Sequence, residues 1–155
     1  MDEFNAVIES LGERIVVRYD NSLSNVLQSR FPFSLGRIDW RRVPDHRVLT
    51  APRERLLGAN SKDSLFDSER YVPTVEEFLL QSLNAHHIED ASIAVVSDSI
   101  EPEYEIDRSV LRDVLVATIW IPSHWYLFGL DGSWCCMWSM EDDVCFGVAP
   151  TMMSR

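Results

Sequence analysis

A chain of 155 residues with 46% hydrophobic and 25% charged side chains has the make-up of one globular domain, here residues 1–155. No apolar run reaches the roughly 18 residues of a transmembrane helix, and the acidic start MDEFNAVIESLGE is wrong for a secretory signal, so no membrane association and a cytoplasmic location are expected. The net charge of −11 is uneven: residues 1–70 hold 11 basic and 11 acidic side chains, residues 71–155 hold 3 and 14, which argues against nucleic acid as a partner of the second half.

In chain order, Phe4, Val7, Ile8 and Leu11 form a helical stripe that predicts a helix over Asp2–Leu11, stopped by Gly12. Arg14 to Tyr19 reads as a short strand closed by Asp20-Asn21, and Ser22 to Arg30 as a short helix broken at Phe31-Pro32-Phe33. From Leu35 to Arg70 the chain turns loop-like, with short helical pieces such as Leu65–Arg70. Arginines crowd into it at 37, 41, 42, 47, 53 and 55. They are expected to pair with acids of the second half, since Arg makes bidentate carboxylate contacts. A phosphate contact beside Trp40 is the alternative.

Thr74-Val75-Glu76-Glu77 fits a capping box and predicts a helix from Thr74 to His87, with Val75, Phe78, Leu79 and Leu83 inward. His86 and His87 then sit at a helix end, where adjacent positions suit the dipole better than a metal. Ser92–Ser97 is a buried-type strand. The run from Asp98 to Asp107 carries Glu101, Glu103, Glu105 and Asp107 interleaved with Ile100, Tyr104 and Ile106. It reads as a solvated loop, or as a surface imitating a nucleic-acid backbone. Arg108–Thr118 predicts a further helix, Ile119–Pro122 a short strand or exit turn, and the residues after Pro150 a frayed end.

The stretch from His124 to Val148 reads as a three-strand antiparallel meander. Asp131-Gly132 between apolar runs is a hairpin signal, taken as a type I′ turn. That register sets Leu130 against Ser133, Phe128 against Cys135, Tyr126 against Met137 and Trp125 against Trp138. Tyr126, Phe128, Cys135 and Met137 then share one face; Trp125, Leu127, Trp134, Cys136 and Trp138 share the other. Both faces are apolar, so both are expected to be covered, or one to be a contact surface. The acidic turn Glu141-Asp142-Asp143 leads into the third strand. The three cysteines, 135, 136 and 145, read as reduced core thiols. The expected fold is α+β, an antiparallel sheet with this C-terminal meander packed against several helices.

No phosphate loop, dinucleotide turn, zinc-helix motif or nucleophile elbow is present in the sequence, and no cofactor, metal or catalytic residue is assigned. A rival enzyme or small-ligand reading would build a pocket on His124, Tyr126 and Ser139. A third reading is an adaptor whose apolar sheet face makes a homodimer.

The segment WYLFGLDGSWCCMWSMEDDVCFGV, with its aromatic strand, acidic turn, Trp-bearing strand and second acidic turn, resembles the C-terminal part of small bacterial immunity proteins of contact-dependent inhibition and related polymorphic toxin systems. The resemblance implies a cytoplasmic protein, monomeric or homodimeric, that binds and blocks a cognate toxin domain, a basic nuclease being the expected kind. The residues offered for that contact are Trp134, Trp138 and Tyr104 as anchors and Glu101, Glu103, Glu105, Asp107, Glu141, Asp142 and Asp143 as charges.

Overall fold

β-branched and aromatic residues recur in short runs along the chain, and in this computed structural model seven of those runs join one antiparallel sheet. The structure describes residues 2–49, 64–118, 121, 123–138 and 143–150. The strands are β1 (Ile15–Arg18), β4 (Arg47–Leu49), β5 (Ser92–Ser97), β6 (Glu103–Asp107), β7 (Trp125–Gly129), β8 (Trp134–Trp138) and β9 (Val144–Val148). Their order across the sheet is β1-β6-β5-β7-β8-β9-β4. A separate two-stranded hairpin joins β2 (Phe33–Ser34) to β3 (Arg37–Ile38). The helices are α1 (Asp2–Leu11), α2 (Ser22–Arg30), α3 (Ser64–Ala85) and α4 (Leu111–Thr118).

The meander has the register that the alternation predicts: Trp125 faces Trp138, Tyr126 faces Met137, Leu127 faces Cys136 and Phe128 faces Cys135. The turn differs. Gly132 N–H bonds the Gly129 carbonyl at 2.8 Å, and Gly132 takes a positive φ of 74° while Asp131 does not. A type I′ turn needs positive φ at both central residues. Here the reversal is wider, with Leu130 and Asp131 at its centre and Gly132 supplying the left-handed step. The change of turn preserves the pairing because the residues facing one another are the same.

Both sheet faces are covered. Trp125, Leu127, Trp134, Cys136 and Trp138 lie in one core with Phe4, Leu11, Val75, Phe78, Leu79, Leu83, Val110, Leu111, Val114 and Leu115, under α1, α4 and α3. Tyr126, Phe128, Cys135 and Met137 lie in a second core with Leu23, Leu27, Phe31, Ile38 and Val43, under α2, the small hairpin and the 3-10 turn at Trp40–Arg42. A strand apolar on both faces thus sits between two layers. Each large side chain removed from water here contributes about 1.5–3 kcal/mol before entropy is counted.

Three expectations fail on context. Helix α3 starts at Ser64 and runs through Pro73, so the Thr74 capping box does not begin it. Pro73 has no N–H to give the preceding turn, yet Val72 and Val75 on either side are buried against the sheet, and that packing outweighs the missing bond. The C-terminal end is as expected in place: His87 adopts φ 57°, Ile88 N–H bonds Leu83 O at 2.9 Å and His87 N–H bonds Asn84 O, a Schellman closure.

Second, only the first half of Asp98–Asp107 is the expected exposed loop; the second half is not. Residues 103–107 form β6, an interior strand between β1 and β5. Glu103-Tyr104-Glu105-Ile106-Asp107 is a strict alternation, with Tyr104 and Ile106 in the first core. Third, two of the arginines of 35–70 are held by groups other than the expected second-half acids. Arg41 pairs with Asp39 at 3.2 Å, and Arg47 donates to Ser82 Oγ at 2.7 Å with its guanidinium 5.1 Å over the Phe78 ring. Earlier arginines also link the two halves, Arg18 to Glu105 and Arg30 to the Asp131 carbonyl. Arg53, Arg55, most of Ile119–Pro122, Ser139, Glu141, Asp142 and the residues after Pro150 lie outside the described set.

Candidate functional site: a polar cleft at one end of the sheet

Strands β1, β6 and β5 run antiparallel side by side, so the segment after β1 and the turn between β5 and β6 emerge at the same end. Between them lies a cleft of about 420 Å³, lined by Arg18 to Asn21 and Ser24 on one wall and Ser97 to Glu103 on the other. Its lining carries four carboxylates, Asp20, Asp98, Glu101 and Glu103, against one cation, Arg18.

Four of the five charged groups have a distinct engagement. Arg18 forms an ion pair with Glu105 across β1 and β6. Glu103 is buried and turns its carboxylate to the first turn of α2. Its Oε1 accepts Leu23 N–H at 3.0 Å, and its carboxylate also takes Ser24 N–H and the Ser24 hydroxyl. Asn21, the local N-cap residue, makes no side-chain cap, so the cap comes from another strand. Asp20 Oδ1 accepts the Ser22 hydroxyl at 2.7 Å and Ser22 N–H at 3.1 Å, and these bonds hold its carboxyl below the usual range.

Asp98 organises the far wall. Its Oδ1 accepts Ser123 Oγ at 2.9 Å and His124 N–H at 3.1 Å, while its Oδ2 lies 3.2 Å from His124 Nδ1. Ser97 and Ser99 both bond the Ser123 hydroxyl, and Ser97 Oγ also accepts the N–H groups of Ser99 and Ile100 at 3.1 Å. A carboxylate on Nδ1 is how an imidazole is oriented for base catalysis. The Ser123 hydroxyl, however, donates to Asp98 and not to the ring, so this serine and histidine do not form a nucleophile–base contact. Neither His124 nor Tyr126 lines the cleft. Tyr126 instead packs 6.2 Å from the Phe33 ring in the second core, where burial raises its hydroxyl above the ordinary value of 10.0.

The sequence-predicted contact residues are scattered. Glu101 lies in the cleft and is exposed, and Glu103 lines it but is spent on α2. Glu105 is paired with Arg18, and Asp107 is exposed and caps the turn at Ser109. Asp143 is exposed at the start of β9. Trp134, Trp138 and Tyr104 are corrected: all three are buried in the first core and offer no surface to a partner. Trp134 is wholly enclosed, its indole N–H bonded to Asp90 Oδ2 at 2.9 Å and its ring stacked 6.0 Å from Phe146. The reading of these aromatics as core is the correct one.

Sequence reasoning missed Tyr19, Asp20, Asn21, Asp98 and Ser99 as neighbours. Asp20-Asn21 and Asp98-Ser99 were visible as turn punctuation, but only the β1-β6-β5 order brings the two together. Among the described residues no group of three or more His, Cys, Asp or Glu is placed to hold a metal ion, and no helix is long and apolar enough to cross a membrane. Against known protein families and curated proteins, the chain matches no family model and no curated sequence.

Proposed function

We propose that this chain is an immunity-type inhibitor, a non-catalytic cytoplasmic protein that binds a basic toxin domain of the nuclease kind and blocks it. The observation that carries the reading is the cleft with four carboxylates to one arginine, on a chain whose residues 71–155 hold 14 acids to 3 bases. Such a field speeds the encounter with a basic protein and repels nucleic acid. The resemblance of residues 125–148 supports the same class, although its tryptophans serve the core.

The test is co-expression with a toxin-like domain encoded beside this gene, scored by growth rescue and by co-elution on a sizing column. Rescue with a stoichiometric complex is the expected result. A folded, demonstrably toxic domain that is neither bound nor neutralised would reject the pairing. Association rates measured at low and high salt add a second reading, because steering by exposed carboxylates such as Glu101 and Asp143 fades as salt rises.

A further inference from the structure

We infer that strand β1 is a self-association edge: two copies of this chain pair antiparallel through it about Val17, so that Arg14 of each copy faces Asp20 of the other. β1 ends the sheet. It pairs with β6 on one side, and no described strand pairs with it on the other. Such an edge offers a row of backbone donors and acceptors to any chain that lies beside it. Its middle is apolar, Ile15-Val16-Val17, with Val16 50% exposed and Tyr19 beyond it 88% exposed. Its charges stand at the two ends, Arg14 before the strand and Asp20 after it, both exposed.

Charge complementarity selects a second copy as the occupant. Hydrogen-bonded and non-bonded pairs alternate along an antiparallel ladder, so a two-fold axis must set one residue opposite its own copy. Centring on Ile15 or Arg18 runs the strand against the 3-10 turn Gly12–Arg14 or the start of α2. Centring on Val16 sets Arg14 against Arg18, like against like. Centring on Val17 sets Arg14 against Asp20 at both ends, Val16 against Arg18 and Ile15 against Tyr19. Opposite residues share a face, so half-exposed Val16 meets the aliphatic stem of Arg18, and the bare Tyr19 ring meets Ile15. The other charges nearby do not oppose this register. Arg18 is already paired with Glu105, Glu13 faces Asn21, and Asp107 acts on Arg14 within its own copy. Asp20 is held ready by Ser22, which bonds only its Oδ1. A strand this short buries little area, so the dimer is a weak one.

Dimerisation is independent of the inhibitor reading and is tested on the full chain alone. Sedimentation and amide hydrogen exchange are followed from micromolar to millimolar concentration for wild type, Arg14→Asp, Asp20→Arg and an equal mixture of the two variants. Wild type should pass from monomer to dimer, and the outward-facing amides among residues 15–18 should exchange more slowly as it does. Each variant alone sets like charges against each other at both ends and should self-associate roughly tenfold more weakly. The mixture should recover, because a mixed dimer restores opposite charges at both ends. A wild-type chain that stays monomeric at millimolar concentration, a dimer that leaves those amides unprotected, or a mixture no tighter than its components would overturn the inference. Wild-type exchange decides the matter if either variant does not fold. Amides of β1 protected only when a co-expressed toxin domain is bound would give the edge to that partner and overturn the dimer.

Discussion

Glu103, on strand β6, caps helix α2 through Leu23: its Oε1 accepts the Leu23 N–H at 3.0 Å from 80 residues away in sequence. An acid in an interior strand is thus the counterpart of a helix start whose N-cap residue, Asn21, makes no side-chain cap. Glu103→Ala should cost about 2 kcal/mol, since it leaves the N–H groups of Leu23 and Ser24 without an acceptor in a mostly buried place. Glu103→Gln keeps an acceptor and should cost less than half as much. Urea midpoints of the two variants check this, and equal losses would show that charge, not hydrogen bonding, is what α2 requires.

Gly129 leaves room for nothing larger. A Cβ there would stand 2.8 Å from Trp134 Nε1, 3.0 Å from Asp90 Oδ2 and 3.1 Å from Asp131 Oδ1. Gly129→Ala should therefore displace the Trp134–Asp90 bond and cost on the order of 1–3 kcal/mol. Thermal unfolding gives the size, and a changed tryptophan emission in the native state would place the disturbance at Trp134.

Asp20, Asp107 and Asp131 each accept bonds from a serine two residues on, Ser22, Ser109 and Ser133, and each has its carboxyl lowered from the usual 3.8 by them. A lowered folded-state value means that the unfolded chain binds the proton first as pH falls. The contribution is whole above 3.8 and lost as pH drops through the lower folded-state values. Acid unfolding followed by circular dichroism should show this limb, and Asp131→Asn should make it shallower.

Burial raises the thiols of Cys135 and Cys136 above the ordinary 9.0, so the neutral form is the folded form. Their contribution is whole below 9.0 and erodes as pH climbs from there. Neither should react with a disulfide reagent at neutral pH until the chain unfolds, and the rate should rise with urea along the unfolding curve. Fast labelling of the native protein at either site would contradict the packing.

The meander was readable because period-2 alternation carries its own geometry. Once Asp131-Gly132 marks the reversal, the partners of Trp125 through Phe128 and the composition of both faces follow. The turn type did not follow, since Asp-Gly serves several reversals of similar register. The alternation in Glu103 to Asp107 was equally present, but acids outnumber apolar residues there and composition pointed to a loop. What decides is long-range: Arg18 and the α2 N-terminus supply partners that no local window contains. Thr74 misled for the reverse reason. A capping box is a local signal, and burial of Val72 and Val75 carries the helix through Pro73 regardless. The cleft lay beyond reading because it depends on strand order.

The sheet order also has a temporal meaning. β5 to β9 are consecutive in sequence and, apart from β6 lying outside β5, consecutive in space, whereas the two outer strands, β1 and β4, come from the first 49 residues. The segment between those outer strands carries α2 and the small hairpin over the second face of the sheet. It has nothing to pair with or lie on until the C-terminal strands exist. During synthesis the early third must wait, then close over both margins and one face of a sheet made after it. The slow step in folding should accordingly be the settling of that strap, and variants at Leu27 or Phe31 should unfold faster while leaving the folding of the central hairpins unchanged.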